Sequence, residues 1–265
     1  MSQRAILCPR CRKIIGSGES HCSWCGTSRS NPFWALIGVA GNNWVTGSIL
    51  TVNILFFGLS LLLSTKVDPS SGFLSPGRNS LLLLGASGTV PIDHFGRYWT
   101  LVSANYLHGG ILHLLFNLMA LRQLAAWVVN EYGSSRMFVI YTLGGVAGYL
   151  VSYFAGVPFT VGASAALCSL IGALLFYGKS RGGSHGRMVY REIGGWALSI
   201  SIFGLIFPGI NNWAHGGGVL AGIALGALLG YNEKRGQRAI DHLLALICVL
   251  LTIGILVWAL FGARI

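Results

Sequence analysis

The chain has 265 residues, of which 53% are apolar and only 9% charged. A soluble domain carries roughly a quarter charged residues, so the composition excludes an ordinary water-soluble globule and places the chain in a bilayer. The formal charge of +11 does not argue for nucleic acid, because the lysines and arginines sit in short segments between apolar runs, the placement that orients a membrane protein.

Residues 1–30 are polar and hold Cys8-Pro-Arg-Cys11 and Cys22-Ser-Trp-Cys25, with ten residues between the pairs. Two such pairs supply four thiolates for a tetrahedral zinc ion. The segment is too short to fold on an apolar core, so metal binding would supply most of its folding free energy. Disulfides are the competing reading, and the cytoplasmic placement inferred below disfavours them. The segment resembles a small zinc ribbon with a structural ion, and a cytoplasmic partner protein or self-association is what such a module would serve. It contains no apolar stretch of the signal-peptide kind, so the first membrane helix is expected to act as the insertion signal.

A linker, residues 31–43, leads to seven apolar runs that reach or approach the length of a membrane-spanning helix: 44–64, 109–129, 135–155, 163–178, 190–207, 213–231 and 240–262. The expected architecture is an all-α polytopic membrane protein with a six-helix core over 44–231, then a linker and seventh helix over 232–265. The fourth run is short and opens on glycine, as expected of a helix that faces a cavity rather than lipid. The longest connection, 65–105, is partly apolar and is expected to lie at or dip into the interface. With the N-terminus in the cytoplasm, only Lys66, Arg78, Arg97 and Arg264 fall on the outer side, and all other basic residues, Arg122 and Arg136 included, fall inside. That asymmetry predicts an N-in, C-out chain. The second, fourth and sixth helices then all enter from the outer side.

Those three helices carry the chemistry. The second begins near His108 and His113-Leu-Leu-Phe-Asn117, the fourth at Gly162-Ala163-Ser164, and the sixth at Ala214-His215. Polar side chains at bilayer depth are costly unless paired or functional. A serine hydroxyl needs a base to become a nucleophile, and His215 lies at the matching depth. Gly218, Gly222, Gly226 and Gly230 follow it at every fourth position, a stripe against which another helix can pack closely. The fourth helix offers a small face, Ser164, Cys168 and Gly172, to meet it. His113 and Asn117 share a helix face and, with the Ser164 N–H, can donate to an oxyanion. The seven carboxylates, Glu19, Asp68, Asp93, Glu131, Glu192, Glu233 and Asp241, are read as lying outside the apolar spans. The expected arrangement is therefore a Ser164–His215 dyad without a triad acid or a catalytic cofactor, with His215 oriented by packing and by Asn211 or Asn212. A second Gly-Ala-Ser-Gly at 85–88 is read as a turn. A transporter is disfavoured because the polar residues cluster near one face and not at the midplane.

In combination these motifs, with Tyr98-Trp99, Tyr106-Leu107-His108 and Asn211-Asn212-Trp213-Ala214-His215, resemble the rhomboid family of intramembrane serine proteases over about residues 44–231. The resemblance implies Ser164 as nucleophile, His215 as general base, and His113, Asn117 and Gly162 around the oxyanion. It implies that His108 holds the long first loop. It also implies transmembrane-segment substrates cut near the outer side, entering near the fifth helix and Phe207-Pro208-Gly209, and a bacterial inner membrane as the setting. Three positions depart from the family pattern: Thr100 follows Trp99 where arginine is common, Ala165 replaces a glycine, and Cys168 replaces an aromatic residue. They motivate the alternative, a catalytically weak or inactive rhomboid-like protein that binds transmembrane helices.

Overall fold

A computed structural model describes residues 5–7, 14–16, 19 and 44–262. The chain divides into two compact units, 1–49 and 50–265. In the first, β1 (Ala5–Leu7) pairs antiparallel with β2 (Ile14–Gly16), Leu7 opposite Ile14. The Gly16 N–H donates to the Glu19 carboxylate at 2.9 Å. The proposed metal ligands Cys8, Cys11, Cys22 and Cys25 lie outside the described residues.

The rest of the described chain is helical. It comprises α1 (Trp44–Val67), α2 (Arg78–Leu83), α3 (Thr89–Phe95), α4 (Thr100–Ser103), a 3-10 turn (Ala104–Tyr106), α5 (Ile111–Tyr132), α6 (Ser134–Phe154), α7 (Ser164–Arg181), α8 (Gly183–Ile206), α9 (Asn212–Leu229) and α10 (Ala239–Phe261). The seven long helices match the seven apolar runs. The largest difference is that α8 starts at Gly183 rather than at 190. Its extra turns are polar, but Gly186 packs against Gly178 so tightly that a Cβ on it would stand 2.7 Å from the Gly178 carbonyl. That contact keeps the polar start helical.

Not all seven helices are equally apolar. Only α1, α5, α6 and α10 are long and apolar enough to cross a membrane by themselves among the described residues. The other three are diluted by glycine and polar residues, and α7 replaces lipid contact with protein contact. It packs on α5, α6, α8 and α9, and an unbroken run from Ala165 to Leu174 is buried. A helix buried all round against protein is a core helix.

The tightest contact in the core is between α7 and α9. A Cβ on Gly218 would lie 2.3 Å from the Ala165 carbonyl oxygen, one on Gly222 1.9 Å from that of Ser169, and one on Gly172 2.1 Å from that of Val219. Gly148 of α6 adds a fourth close approach, where a Cβ would lie 2.6 Å from the Ala214 carbonyl oxygen. Only hydrogen fits at these positions, so both helix axes come together backbone against backbone.

Three charges differ from their reading as simple topology signals or solvated groups. Arg136 is completely buried at the start of α6, where it donates to the carbonyls of Arg235 and Gly236 and to Asp241 Oδ2 at 2.7 Å. Asp241 is also fully buried, inside the first turn of α10, and receives Arg235 at 2.8 Å and the Arg238 N–H. It is thus a carboxylate within a membrane-length helix, tolerated there because every oxygen is paired. Arg122 stands midway along α5 and at neither of its ends. At the last residue of α7, the Arg181 guanidinium grips Glu233 through two bonds and holds that carboxyl below its ordinary value.

Candidate active site

The site begins with how the first connection holds the approach to α7. Asp68 accepts from the Ser80 N–H at 2.8 Å, and Ser64 bonds Ser80 at 2.7 Å, so the end of α1 clasps the start of α2. The chain then reaches the 85–88 turn. Ser87 is buried and forms an antiparallel bridge with Thr160, exchanging bonds of 3.0 and 2.8 Å. It is therefore structural, as its reading as a turn implies, and it fixes the loop between α6 and α7. Gly88, at φ +131, lets the backbones touch: a Cβ there would lie 2.5 Å from the Pro158 carbonyl oxygen.

Gly162 ends that loop under a double constraint. Its N–H donates to the Ala104 carbonyl at 2.9 Å, and its own carbonyl accepts the Tyr149 hydroxyl. Its φ of +132 lies where L side chains are strained. A Cβ on it would stand 2.7 Å from both Cε1 and Nε2 of His113, and 3.7 Å from Ser164 Oγ. The absent side chain thus lets the His113 imidazole come up against the turn that presents the serine.

Ser164 is the first residue of α7, where the opening N–H groups have no partner within the helix. His215 lies in the first turn of α9, and its Nε2 is 2.9 Å from Ser164 Oγ. This is the distance required between a nucleophile and its general base. Both residues are half-buried. The α7–α9 glycine contact is what brings these two helix starts together.

Around this pair the expected residues are placed unequally. His113 reaches the site beside Gly162. Asn117, one turn on, spends one N–H on the His113 carbonyl at 2.7 Å, in the pattern of a side chain bonding back along its own helix. His108 is fully buried, with its ring edge-on to His113 at 5.1 Å between centroids. Burial, with His113 alongside, pushes its pKa down to about 3, so it stays uncharged and contributes packing at the base of the first loop. Cys168 is buried and faces Gly218, its Cβ 3.1 Å from where a Cβ there would be.

The orientation of His215 differs from the expectation. Neither Asn211 nor Asn212 bonds its ring, and Nδ1 has no hydrogen-bond partner among the described residues. Asn212 instead donates to the Gly204 carbonyl at 2.8 Å. Asn211 caps α9 by accepting the Ala214 N–H at 3.0 Å. The asparagines therefore hold the helix rather than the ring, because the first turn of α9 has orphan N–H groups to satisfy. Residues that sequence patterns did not single out are Tyr149, Ala104, Gly148, Ser152 and Thr160. All but Thr160 share the fully or almost fully buried interior, and all act on backbone or side chains far away in sequence.

Comparison with known proteins shows the family. A Rhomboid domain family model matches residues 96–232. The chain is 33% identical over 215 residues to the Rhomboid protease GluP of Bacillus subtilis (strain 168), covering 79% of this chain and 41% of that protein. It is 29% identical over 196 residues to RHOMBOID-like protein 4 of Arabidopsis thaliana, covering 71% of this chain and 49% of the relative. It is also 33% identical over 181 residues to RHOMBOID-like protein 9, chloroplastic, of the same plant, covering 64% and 42%. The chain spans about half the length of the curated relatives it matches. Since the domain match alone takes in more than half of these residues, the chain belongs to the rhomboid family of multi-pass membrane proteins.

Proposed function

We propose that the chain is an intramembrane serine endopeptidase working through a Ser164–His215 dyad. The observation that carries this reading is the 2.9 Å contact between Ser164 Oγ and His215 Nε2. In the proposed reaction His215 Nε2 takes the hydroxyl proton as Oγ bonds to the scissile carbonyl carbon. The resulting oxyanion is stabilised by the Ser164 N–H, His113 and the remaining Asn117 N–H, donors of a kind worth about a hundred- to a thousand-fold each. His215 then returns the proton to the leaving amine, and water hydrolyses the acyl-serine by the same steps.

The substrate class proposed is transmembrane segments cut near the outer face, in a chain oriented N-in, C-out in a bacterial inner membrane. The outer half of α8 supports lateral entry there, since Leu198, Leu205 and Ile206 expose 61%, 82% and 64% of their surface to the surroundings.

A fluorescent fluorophosphonate tests the chemistry without a known substrate. The full-length protein in detergent is expected to label, and Ser164→Ala and His215→Ala are expected to reduce labelling by ten-thousand-fold or more, on the order seen when a nucleophile or base is removed. Absence of labelling in a folded native protein would refute the dyad. It would favour a helix-binding, non-catalytic role, the reading to which Thr100, Ala165 and Cys168 point.

For the N-terminal segment we propose a structural zinc ion held by Cys8, Cys11, Cys22 and Cys25, in a ribbon serving a cytoplasmic partner or self-association. The strand pairing of β1 and β2 brackets the first cysteine pair in sequence, which supports one compact ligand loop. One equivalent of zinc per chain by elemental analysis, lost in Cys8→Ser/Cys22→Ser, is expected. Labelling of Ser164 should survive that loss. A metal-free native protein, with disulfides in place of thiolates, would overturn the proposal.

A further inference from the structure

We infer that Asn211 is a positioning residue that couples the loop in front of Ser164 to the helix that carries His215. The inference rests on the dyad reading above.

The two catalytic helices begin in parallel ways. Thr160 lies four residues before Ser164, and Asn211 lies four residues before His215. Their side chains are bonded to each other: Asn211 Nδ2 donates to Thr160 Oγ1 at 2.9 Å. The second hydrogen on Nδ2 goes to Ser152 Oγ of α6 at 2.6 Å. The amide oxygen accepts the Ala214 N–H at 3.0 Å, and the backbone carbonyl of the same residue accepts the His215 N–H at 3.1 Å. One residue therefore ties four points together, including the residue before the base and the base itself.

A plain helix cap would not require this. Capping uses only the side-chain oxygen, and a serine or threonine supplies it equally well. What Asn211 adds is a pair of donors that reach across to two other elements. Thr160 is in turn held by Ser87 through a two-bond bridge, and two residues later Gly162 is fixed to Ala104 and Tyr149. The loop that presents Ser164 is thus rigid up to Thr160, and Asn211 connects that rigid loop to α9. Because the His215 ring has no partner at Nδ1 among the described residues, the registry of the two helix starts determines where Nε2 lies relative to Oγ. A displacement of about 1 Å between reacting groups is enough to lose about a hundred-fold in rate.

Three substitutions separate the link from the cap. Asn211→Ala removes both. Asn211→Ser keeps an acceptor for the Ala214 N–H but is too short to reach Ser152 and Thr160. Asn211→Asp keeps the cap, and the two hydroxyls can turn to donate to it, so the link is restored with its polarity reversed. Thr160→Val removes the other end of the link and leaves α9 capped.

The experiment is fluorophosphonate labelling of the full-length protein, resolved into the maximal rate of Ser164 modification and the half-saturating probe concentration. Asn211→Ala, Asn211→Ser and Thr160→Val are each expected to lower the maximal rate at least ten-fold, with half-saturation nearly unchanged. Asn211→Asp should stay within about three-fold of the native rate. In a double-mutant cycle, Asn211→Ser with Thr160→Val should be no slower than the slower single variant. Native-like rates in Asn211→Ala, or additive losses in the cycle, would overturn the coupling while leaving the dyad intact. A folded native protein that fails to label at Ser164 overturns both together.

Discussion

Gly222→Ala is expected to lower the thermal unfolding midpoint and to slow Ser164 labelling about a hundred-fold, although it adds a single methyl group and raises helix propensity. The propensity gain is about 0.8–1 kcal/mol. Opposing it, the new Cβ would stand 1.9 Å from the Ser169 carbonyl oxygen and 2.6 and 2.7 Å from the Ser169 carbonyl carbon and Cα. These are backbone atoms in the middle of the most buried helix of the bundle, so no side chain can rotate away, and overpacking of this kind costs roughly 1–3 kcal/mol or more. The clash wins, and α7 and α9 must part. The Ser164–His215 contact lies at the end of that same interface, which couples stability to chemistry. Gly216→Ala provides the control. It sits in the same helix next to His215 and has no atom within 4 Å of a built Cβ, so it should label at the native rate. Equal behaviour of the two variants would show that the glycine contact does not set the dyad.

That contact was legible in the sequence because it is periodic. Glycine at every fourth position of one helix and small residues at every fourth position of another specify a narrow interface, whatever lies between them in the chain. The same is true of the long helices, whose apolar runs end within a few residues of their structural limits except at the start of α8. Ser164, His215, His113 and Gly162 could be assembled because each is read near the start of a helix expected to enter from the same side.

The rest was not legible because it pairs single residues over long separations. Arg136 and Asp241 are 105 residues apart in the chain, and nothing local marks either as buried. By composition Arg136 reads as an inner-side charge. Tyr149 looks like one more aromatic in α6 until its hydroxyl is seen on the Gly162 carbonyl. Asn211 is recognisable as a cap from its place before an apolar run, but its bonds to Ser152 and Thr160 are not. Even Asn117, whose spacing from His113 suggests a pure oxyanion donor, has one hydrogen committed to its own helix.

Gly162→Ala should cost at least a hundred-fold in labelling rate while the protein remains folded. Two effects act at once. The backbone conformation at φ +132 strains any L residue, by about 1–3 kcal/mol. The methyl group would also stand 2.7 Å from the His113 ring, so either the imidazole moves off the site or the turn bearing Ser164 does. The turn is the stiffer of the two, since its N–H is bound to Ala104 and its carbonyl to Tyr149. The ring is therefore displaced, and with it the proposed oxyanion donor. Gly156→Ala isolates strain from position: it too has a positive φ, +78, but no neighbour within 4 Å. It should lower stability by the strain alone, less than Gly162→Ala does, and leave the labelling rate close to native. Double replacement of Gly162 by Ala and His113 by Ala should recover part of the stability lost in Gly162→Ala, because the clash is gone, and none of the activity. Restored stability together with restored activity would mean that His113 contributes no catalytic donor, and the oxyanion would have to rest on the α7 N-terminus and Asn117 alone.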